Sequence, residues 1–233
     1  MGNYLFYRFG QWLVLTLPIR FSYKLAEILS DLHSCFSVTD RRDVTLNLKT
    51  IFPQKSLKEI RLIRRQMKRN FGKYLVDFFR FSLLDKEYIK KHITIEHIDY
   101  VQEALSKGNG AIALSAHLGN WELAGVTTAL SGFDLWAVAL EHKNKKVNEF
   151  FNTQRETKGM HVIPLSSAVR QCLGILRQKK VLALVGDRDF HNSGIPVDFF
   201  GKPAKLPLGP AVLSLKTGSP IVPGFLVREG NRD

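Results

Sequence analysis

Residues 111–123 have the sequence AIALSAHLGNWEL, which decides the fold of the chain. The apolar run 111–114 has the length of a buried strand, and the Gly-Asn pair after it is typical of a turn before a helix. The pattern predicts a strand at 111–114 and a helix at 120–130. Because ligands bind at the carboxyl ends of strands in open α/β sheets, we expect His117 at a ligand-binding edge.

His117 and Glu122 are the candidate catalytic residues. Glu122 lies on the first turns of the predicted helix, where a carboxylate can hold one imidazole nitrogen and leave the other to accept a proton. Gly119 favours this interpretation, since a glycine lets a substrate approach the backbone closely. The plainer alternative is a capped helix start with a core histidine, because seven histidines in the chain make this spacing common by chance.

A second strand-like run, VLALV at 181–185, is followed by Gly-Asp-Arg-Asp. Asp187 and Asp189 follow the end of this strand, so both are expected to reach the same cleft, although they can also simply cap the loop. The chain continues through a predicted loop to a helix at 209–216 and a strand at 221–227.

Residues 93–233 show a regular alternation of strand and helix patterns. Such alternation predicts a mostly parallel central sheet with flanking helices, an α/β fold. Residues 1–92 form a separate helical region in this interpretation. Besides the elements above, the predicted strands are 94–98, 135–140 and 161–163, and the predicted helices are 100–107, 145–157 and 167–178.

The net charge of +13 is uneven along the chain. Residues 1–92 contain 18 lysines and arginines against 8 acids, a net charge of +10. A basic helical region beside apolar surface suits an anionic membrane, so a membrane surface is the expected partner. Nucleic acid is the rival partner for such charge, but the sequence contains no recognisable nucleic-acid motif.

The first residues are apolar and aromatic, YLFYRFGQWLVLTLPI at 4–19. The uncharged part, 9–19, is too short to span a bilayer, and Pro18 is expected to break the segment. Interfacial residues such as Trp12 favour a helix at the membrane surface over an ordinary core helix. Ser56 and Glu59 have the spacing of a capping box, so a long helix is predicted at 57–84. Its basic run at 61–69 is either a solvated face or a face for a membrane or an acidic partner.

Four motifs in this order carry a family resemblance: SAHLGNWE at 115–122, GDRD at 186–189, FFG at 199–201 and TGSPIVP at 217–223. Together they resemble the bacterial lipid A biosynthesis acyltransferases, the late acyltransferases of lauroyl and myristoyl type. The resemblance implies a glycerol-3-phosphate acyltransferase-like fold. It also implies transfer of a fatty acyl chain from an acyl carrier protein or coenzyme A thioester to a lipid A precursor, at the cytoplasmic face of the inner membrane.

The resemblance also implies substrate-binding residues. Arg155 is expected to bind a phosphate or the thioester oxygen, with a surface salt bridge to Glu149 or Glu156 as the alternative. Asp187 and Asp189 are expected to position the substrate, with capping of the loop as the alternative. Arg188, Lys202 and Lys205 are expected to contact a substrate phosphate, with solvated loop charge as the alternative. Gly201 is expected to permit a turn of the backbone.

The expected chemistry requires no covalent nucleophile, no metal and no cofactor, because the substrate hydroxyl attacks the thioester directly. The alternatives are acylation of a mannosylated phosphatidylinositol or a lysophospholipid, or noncatalytic lipid binding at a membrane. A hydrolase is disfavoured because the chain has no G-x-S-x-G elbow. Family members continue past residue 233, so an incomplete copy is expected, and Cys35 and Cys172 are expected to be reduced thiols.

Overall fold

The computed structural model describes residues 2–190 and 192–229. Its strands are β1 (Ala111–Ser115), β2 (Leu135–Ala139), β3 (Met160–Pro164), β4 (Val181–Val185), β5 (Ile195–Phe199), β6 (Lys202–Leu206) and β7 (Ile221–Pro223). Its α-helices are α1 (Gly2–Thr16), α2 (Ile19–Phe36), α3 (Val38–Ile51), α4 (Leu57–Phe79), α5 (Lys86–His92), α6 (Asp99–Ser106), α7 (Trp121–Leu130), α8 (Lys145–Glu156), α9 (Ala168–Arg177) and α10 (Gly209–Thr217).

The central sheet has five strands in the order β3-β2-β4-β1-β7, and every pairing in it is parallel. Its two faces are covered by different helices. One core joins side chains of α1, α2, α4, α6, α7 and α8, and a second core on the other face joins α9 and α10. The predicted parallel α/β sheet with flanking helices is therefore confirmed, and both faces are buried as expected for parallel strands.

The central strands alternate their side chains between the two cores. Ile112 and Leu182 pack in the core under α9 and α10, while Ala113 and Ala183 pack on the opposite side. Strands β1 and β4 pair in register from Ala111 with Val181 to Ser115 with Val185, so they end at the same level.

The N-terminal helices pack on one another partly through ion pairs. Asp31 of α2 accepts hydrogen bonds from Arg65 and Arg69 of α4, Lys73 pairs with Glu27, and Lys68 pairs with Asp40. Arg64 also points inward and donates to Thr45 of α3. Most of the basic run at 61–69 therefore binds acids and polar groups of its own bundle, although Arg61 and Arg65 are also exposed. A contact of this run with a membrane or an acidic partner stays a prediction.

Pro18 separates α1 from α2, as predicted, since it lies between Thr16 and Ile19. The long helix begins with the capping box that the sequence encodes: Ser56 accepts from the backbone of Glu59, whose side chain accepts from the backbone of Ser56. Within residues 2–190 and 192–229, the structure contains no helix that is both long and apolar enough to cross a membrane.

Three local predictions were wrong. Residues 94–98 form no strand, since they pair with neither edge strand of the sheet and His97 has φ of 55°, which strand backbone does not adopt. The expected loop after Asp189 contains the hairpin β5–β6, whose prolines at 196 and 203 hide its strand pattern. The last strand ends at Pro223, four residues before the predicted end, and Gly224 still donates to the carbonyl of Leu114 in β1.

Candidate active site

His117 lies two residues after β1 and contacts the carboxylate of Asp187, which lies two residues after the neighbouring strand β4. Its Nδ1 is 2.8 Å from Oδ1 of Asp187, and its backbone N–H donates to Oδ2 of the same residue at 3.1 Å. The side chains of His117 and Asp187 are 30% and 36% exposed, so the pair remains accessible. With Nδ1 held by Asp187, Nε2 is the nitrogen available to accept a proton.

The register of the sheet brings these two residues together. His117 and Asp187 each lie two positions beyond a strand end, and β1 and β4 end level at Ser115 and Val185. Strand β4 enters the sheet between β2 and β1, so residues 70 positions apart in sequence meet at one edge. This edge is the carboxyl end of the parallel strands, where ligands bind in such folds.

Glu122 does not hold His117 in the structure, which corrects the expected pairing. Its carboxylate accepts two hydrogen bonds from Arg155, from Nε at 2.9 Å and from Nη2 at 2.5 Å. Both side chains are 10% exposed. A buried arginine requires a partner of this geometry, and the bidentate pair supplies it. The surface salt bridges expected as the alternative for Arg155 are replaced by this buried pair.

Aromatic rings surround the Glu122–Arg155 pair. The guanidinium lies 5.8 Å from the ring centroid of Phe78 and 6.0 Å from that of Phe151. Burial by itself lowers the pKa of Arg155, but the hydrogen bonds and charge of Glu122 outweigh it and raise that pKa above its ordinary value. Arg155 is therefore a permanent cation, and Glu122 balances its charge.

The loop between β1 and α7 has little freedom. Asn120 caps α7 by accepting a hydrogen bond from the backbone of Leu123 at 3.0 Å, and its own backbone N–H donates to the carbonyl of Leu226 at 2.8 Å. Gly119 has φ of 66°, and a Cβ there would lie 2.0 Å from the Leu226 carbonyl oxygen. Only glycine fits this contact, so the expected close approach at Gly119 is to the chain's own backbone.

The remaining predicted site residues lie on the loop after β4 and on the hairpin. Asp189 accepts from the backbone of Gly194 at 2.7 Å, and the guanidinium of Arg188 lies 5.0 Å above the ring of Phe190. Gly201 lies at the hairpin turn with φ of 71°, as its expected role in a turn requires. Lys202 and Lys205 lie on β6, and Lys205 donates to Asn192 at 2.8 Å.

A polar cleft of about 500 Å³ opens between the carboxyl end of β2 and helix α8. Asn152, one of its lining residues, accepts a hydrogen bond from Arg155 at 3.2 Å, which links the cleft to the buried pair. Sequence reasoning missed this cleft, although the predicted helix at 145–157 already held most of its lining residues. Helix α8 contributes Lys145, Asn148, Glu149, Asn152, Thr153 and Glu156, and the loop before it contributes Glu141, His142 and Lys143.

An exposed histidine held by a carboxylate at the carboxyl ends of parallel strands has the geometry with which an imidazole can act as a general base. The chain belongs to the bacterial lipid A biosynthesis acyltransferase family, whose model matches residues 2–233.

Among curated proteins, the chain is similar to phosphatidylinositol mannoside acyltransferases of mycobacteria. The protein of Mycobacterium tuberculosis is 31% identical over 167 residues, which cover 69% of this chain and 53% of the relative. The protein of Mycolicibacterium smegmatis is 30% identical over 166 residues, which cover 70% of this chain and 55% of the relative. The chain thus spans about half the length of these relatives.

Proposed function

We propose that this chain transfers a fatty acyl chain from an acyl thioester to a hydroxyl group of a glycolipid. The observation that carries the proposal is the contact between His117 and Asp187 at the carboxyl edge of the sheet. Family membership and the similarity to phosphatidylinositol mannoside acyltransferases support the reaction type and a glycolipid acceptor.

The proposed reaction is a direct acyl transfer with His117 as general base. Nε2 of His117 takes the proton of the acceptor hydroxyl while the oxygen attacks the thioester carbonyl. The new ester bond forms, the carbon–sulfur bond breaks, and the thiol leaves with the proton that His117 carried. Asp187 holds Nδ1 throughout and stabilises the imidazolium by its negative charge.

The acceptor headgroup is proposed to lie in the polar cleft beside α8. Amide, hydroxyl and charged groups line this cleft, and such groups suit the hydroxyls of a sugar. A lipid A precursor is our first choice of acceptor because of the family, and a mannosylated phosphatidylinositol is the second because of the relatives. The donor is proposed to be an acyl carrier protein thioester, and acyl coenzyme A is the alternative donor to be compared with it.

The test is acyl transfer by the purified protein in detergent micelles, with each donor offered against each acceptor and the products identified by mass spectrometry. Lipids from cells with and without the gene provide the second measurement. We expect one glycolipid to gain one acyl chain in both measurements. A protein that is folded yet transfers no acyl chain to any glycolipid, in cells that also show no change in their lipids, contradicts the proposal.

We further propose that α1 lies in the surface of an anionic membrane, at the cytoplasmic face of the inner membrane. Four of its apolar side chains are 58 to 82% exposed, and their spacing places them on one side of the helix: Leu5, Phe6, Phe9 and Trp12. A contiguous exposed apolar face of this kind requires a partner. The net charge of +10 on residues 1–92 favours a negatively charged bilayer.

Vesicle sedimentation tests this surface. The triple variant Phe6→Ser, Phe9→Ser, Trp12→Ser should lose binding to vesicles containing phosphatidylglycerol. The matched control is Leu215→Ser, which removes an apolar side chain that is 86% exposed on α10, against the other sheet face. Equal sedimentation of the triple variant and the control rules out α1 as the membrane surface.

A further inference from the structure

Helix α4 contacts the active-site loop through a buried carboxylate. Asp77 of α4 has an 11% exposed side chain and accepts a hydrogen bond from Nδ2 of Asn120 at 2.9 Å. Asn120 is the residue that caps α7 and lies three positions after His117. This contact joins a helix of residues 1–92 directly to the loop that carries the proposed base.

Two further donors converge on Asp77. The Tyr23 hydroxyl of α2 donates to Oδ1 at 2.5 Å, and Nη2 of Arg228 donates to Oδ2 at 2.8 Å. Burial raises the pKa of Asp77, and Arg228, Tyr23 and Asn120 oppose that rise because all three donate to the charged form. Burial also raises the pKa of Tyr23, which therefore remains a hydroxyl donor.

Arg228 connects Asp77 to the loop between β1 and α7 by a second route. The segment that contains Arg228 also accepts the backbone N–H of Asn120 through the carbonyl of Leu226, and it packs against Gly119. The loop is thus held from α4 on one side and from residues 226–228 on the other. Asp77 is the group that both sides share.

Two other residues of α4 extend the support to both charged pairs. Tyr74 stacks on Trp121 with ring centroids 4.5 Å apart, and Trp121 meets the imidazole of His117 edge-on at 4.7 Å. Phe78 lies under the guanidinium of Arg155. Residues at 74, 77 and 78 share one face of a helix, so a single face of α4 supports the loop, the imidazole and the buried pair.

We propose that Asp77 is a positioning residue, which holds residues 117–121 so that His117 meets Asp187. The proposal rests on the proposed acyl transfer for its kinetic effect, but not for its effect on the loop. A carboxylate that fixes Asn120 and Arg228 together keeps the base within reach of the acceptor hydroxyl. Helix α4 is then part of the active site, besides being part of the N-terminal bundle.

The test compares Asp77→Asn with Lys73→Gln. Lys73 lies one turn earlier on α4 and pairs with Glu27 of α2 at 2.9 Å, so it is an equally buried link between α4 and α2. Asp77→Asn should lower kcat about 10- to 100-fold, as a displaced catalytic group does, and change KM less than about threefold. Lys73→Gln should lower the melting temperature while kcat changes little.

Hydrogen–deuterium exchange gives a readout that is independent of activity. Peptides covering 115–123 should exchange faster in Asp77→Asn than in the wild type, with little change elsewhere, whereas Lys73→Gln should leave these peptides unchanged. Faster exchange spread evenly over the chain, or equal kcat in the two variants, overturns the positioning role. A wild type without acyl transfer refutes the proposed reaction and leaves the exchange test valid.

A second variant covers the case that Asp77→Asn does not fold. Asn120→Ser keeps a side chain that caps α7 but removes the amide that donates to Asp77. It should reproduce the loss of kcat and the faster exchange of 115–123. If both variants fold, the double variant should lose about as much kcat as the more impaired single variant, because the two residues act through one contact. Multiplied losses, or an unimpaired Asn120→Ser, contradict the proposal.

Discussion

His117 and Glu122 lie five residues apart, yet each pairs with a different residue in different surroundings. His117 and Asp187 have side chains about one third exposed, whereas those of Glu122 and Arg155 are 10% exposed. The exposed pair can exchange protons with a substrate. The buried pair has no net charge, and each partner keeps the other ionised, because loss of either charge would leave the other buried and unpaired. One short motif therefore supplies both the proposed proton acceptor and an element of the scaffold.

The largest expected effect is a loss of activity on substitution in the exposed pair of His117 and Asp187. His117→Ala should lower acyl transfer about 10²- to 10⁴-fold, because it removes the proposed general base. The melting temperature should change little, since the side chain is accessible. The matched control is His161→Ala, which removes a histidine 3.6 Å from Asp134 at the opposite edge of the sheet. A folded His117→Ala protein with normal turnover disproves the assignment.

The buried pair should respond through stability. Glu122→Leu or Arg155→Leu alone should cost about 3–5 kcal/mol of unfolding free energy, because each leaves an unpaired buried charge. The double variant should recover part of this loss. Urea unfolding measures all three proteins. Single variants that unfold like the wild type mean that the pair does not support the fold.

Removing the charge of Asp187 should have a smaller effect than removing the base. Asp187→Asn should lower kcat about 10- to 100-fold, because the imidazolium loses its neighbouring negative charge while Nε2 remains in place. Asp189→Asn is the comparison, since Asp189 accepts from the loop backbone at Gly194. If kcat falls further in Asp189→Asn than in Asp187→Asn, the carboxylate that contacts His117 is not the one that assists the reaction.

The smallest effect is expected for an ion pair of the N-terminal bundle. Hydrogen bonds from Arg65 and Arg69 hold the pKa of Asp31 well below its usual range, so the carboxylate stabilises the fold above about pH 4, near the unfolded value. This contribution is lost as the pH falls through the lower folded-state value. Asp31→Asn should cost less than about 1 kcal/mol at neutral pH, because the pair is partly solvated.

Thermal unfolding at several pH values checks this prediction. The difference in melting temperature between wild type and Asp31→Asn should shrink as the pH falls below 4 in roughly the range where free carboxylates titrate. Asp43→Asn, at an exposed carboxylate beside Arg42, is the control and should show a smaller difference. A difference that grows on acidification contradicts the assigned direction of the shift.

The sequence by itself determined most of the elements. Strand β4 has the predicted bounds, β1 and α10 end one residue later than predicted, and the Ser56 cap begins α4 as expected. These features depend on local signals, which are apolar runs, turn residues and caps, and the chain carries those signals within a few residues. The alternation of strands and helices was enough to predict a parallel sheet, because parallel strands require crossovers.

Only the tertiary structure decided which charges meet. The spacing of His117 and Glu122 suggested a pair, but strand order placed Asp187 beside His117, and packing of α8 on the sheet brought Arg155 to Glu122. The link from Asp77 to Asn120 spans 43 positions and left no local pattern in the sequence. Such contacts depend on the order and register of the strands and helices, which local propensity does not encode. The contacts form because a charge buried without a partner would cost several kcal/mol.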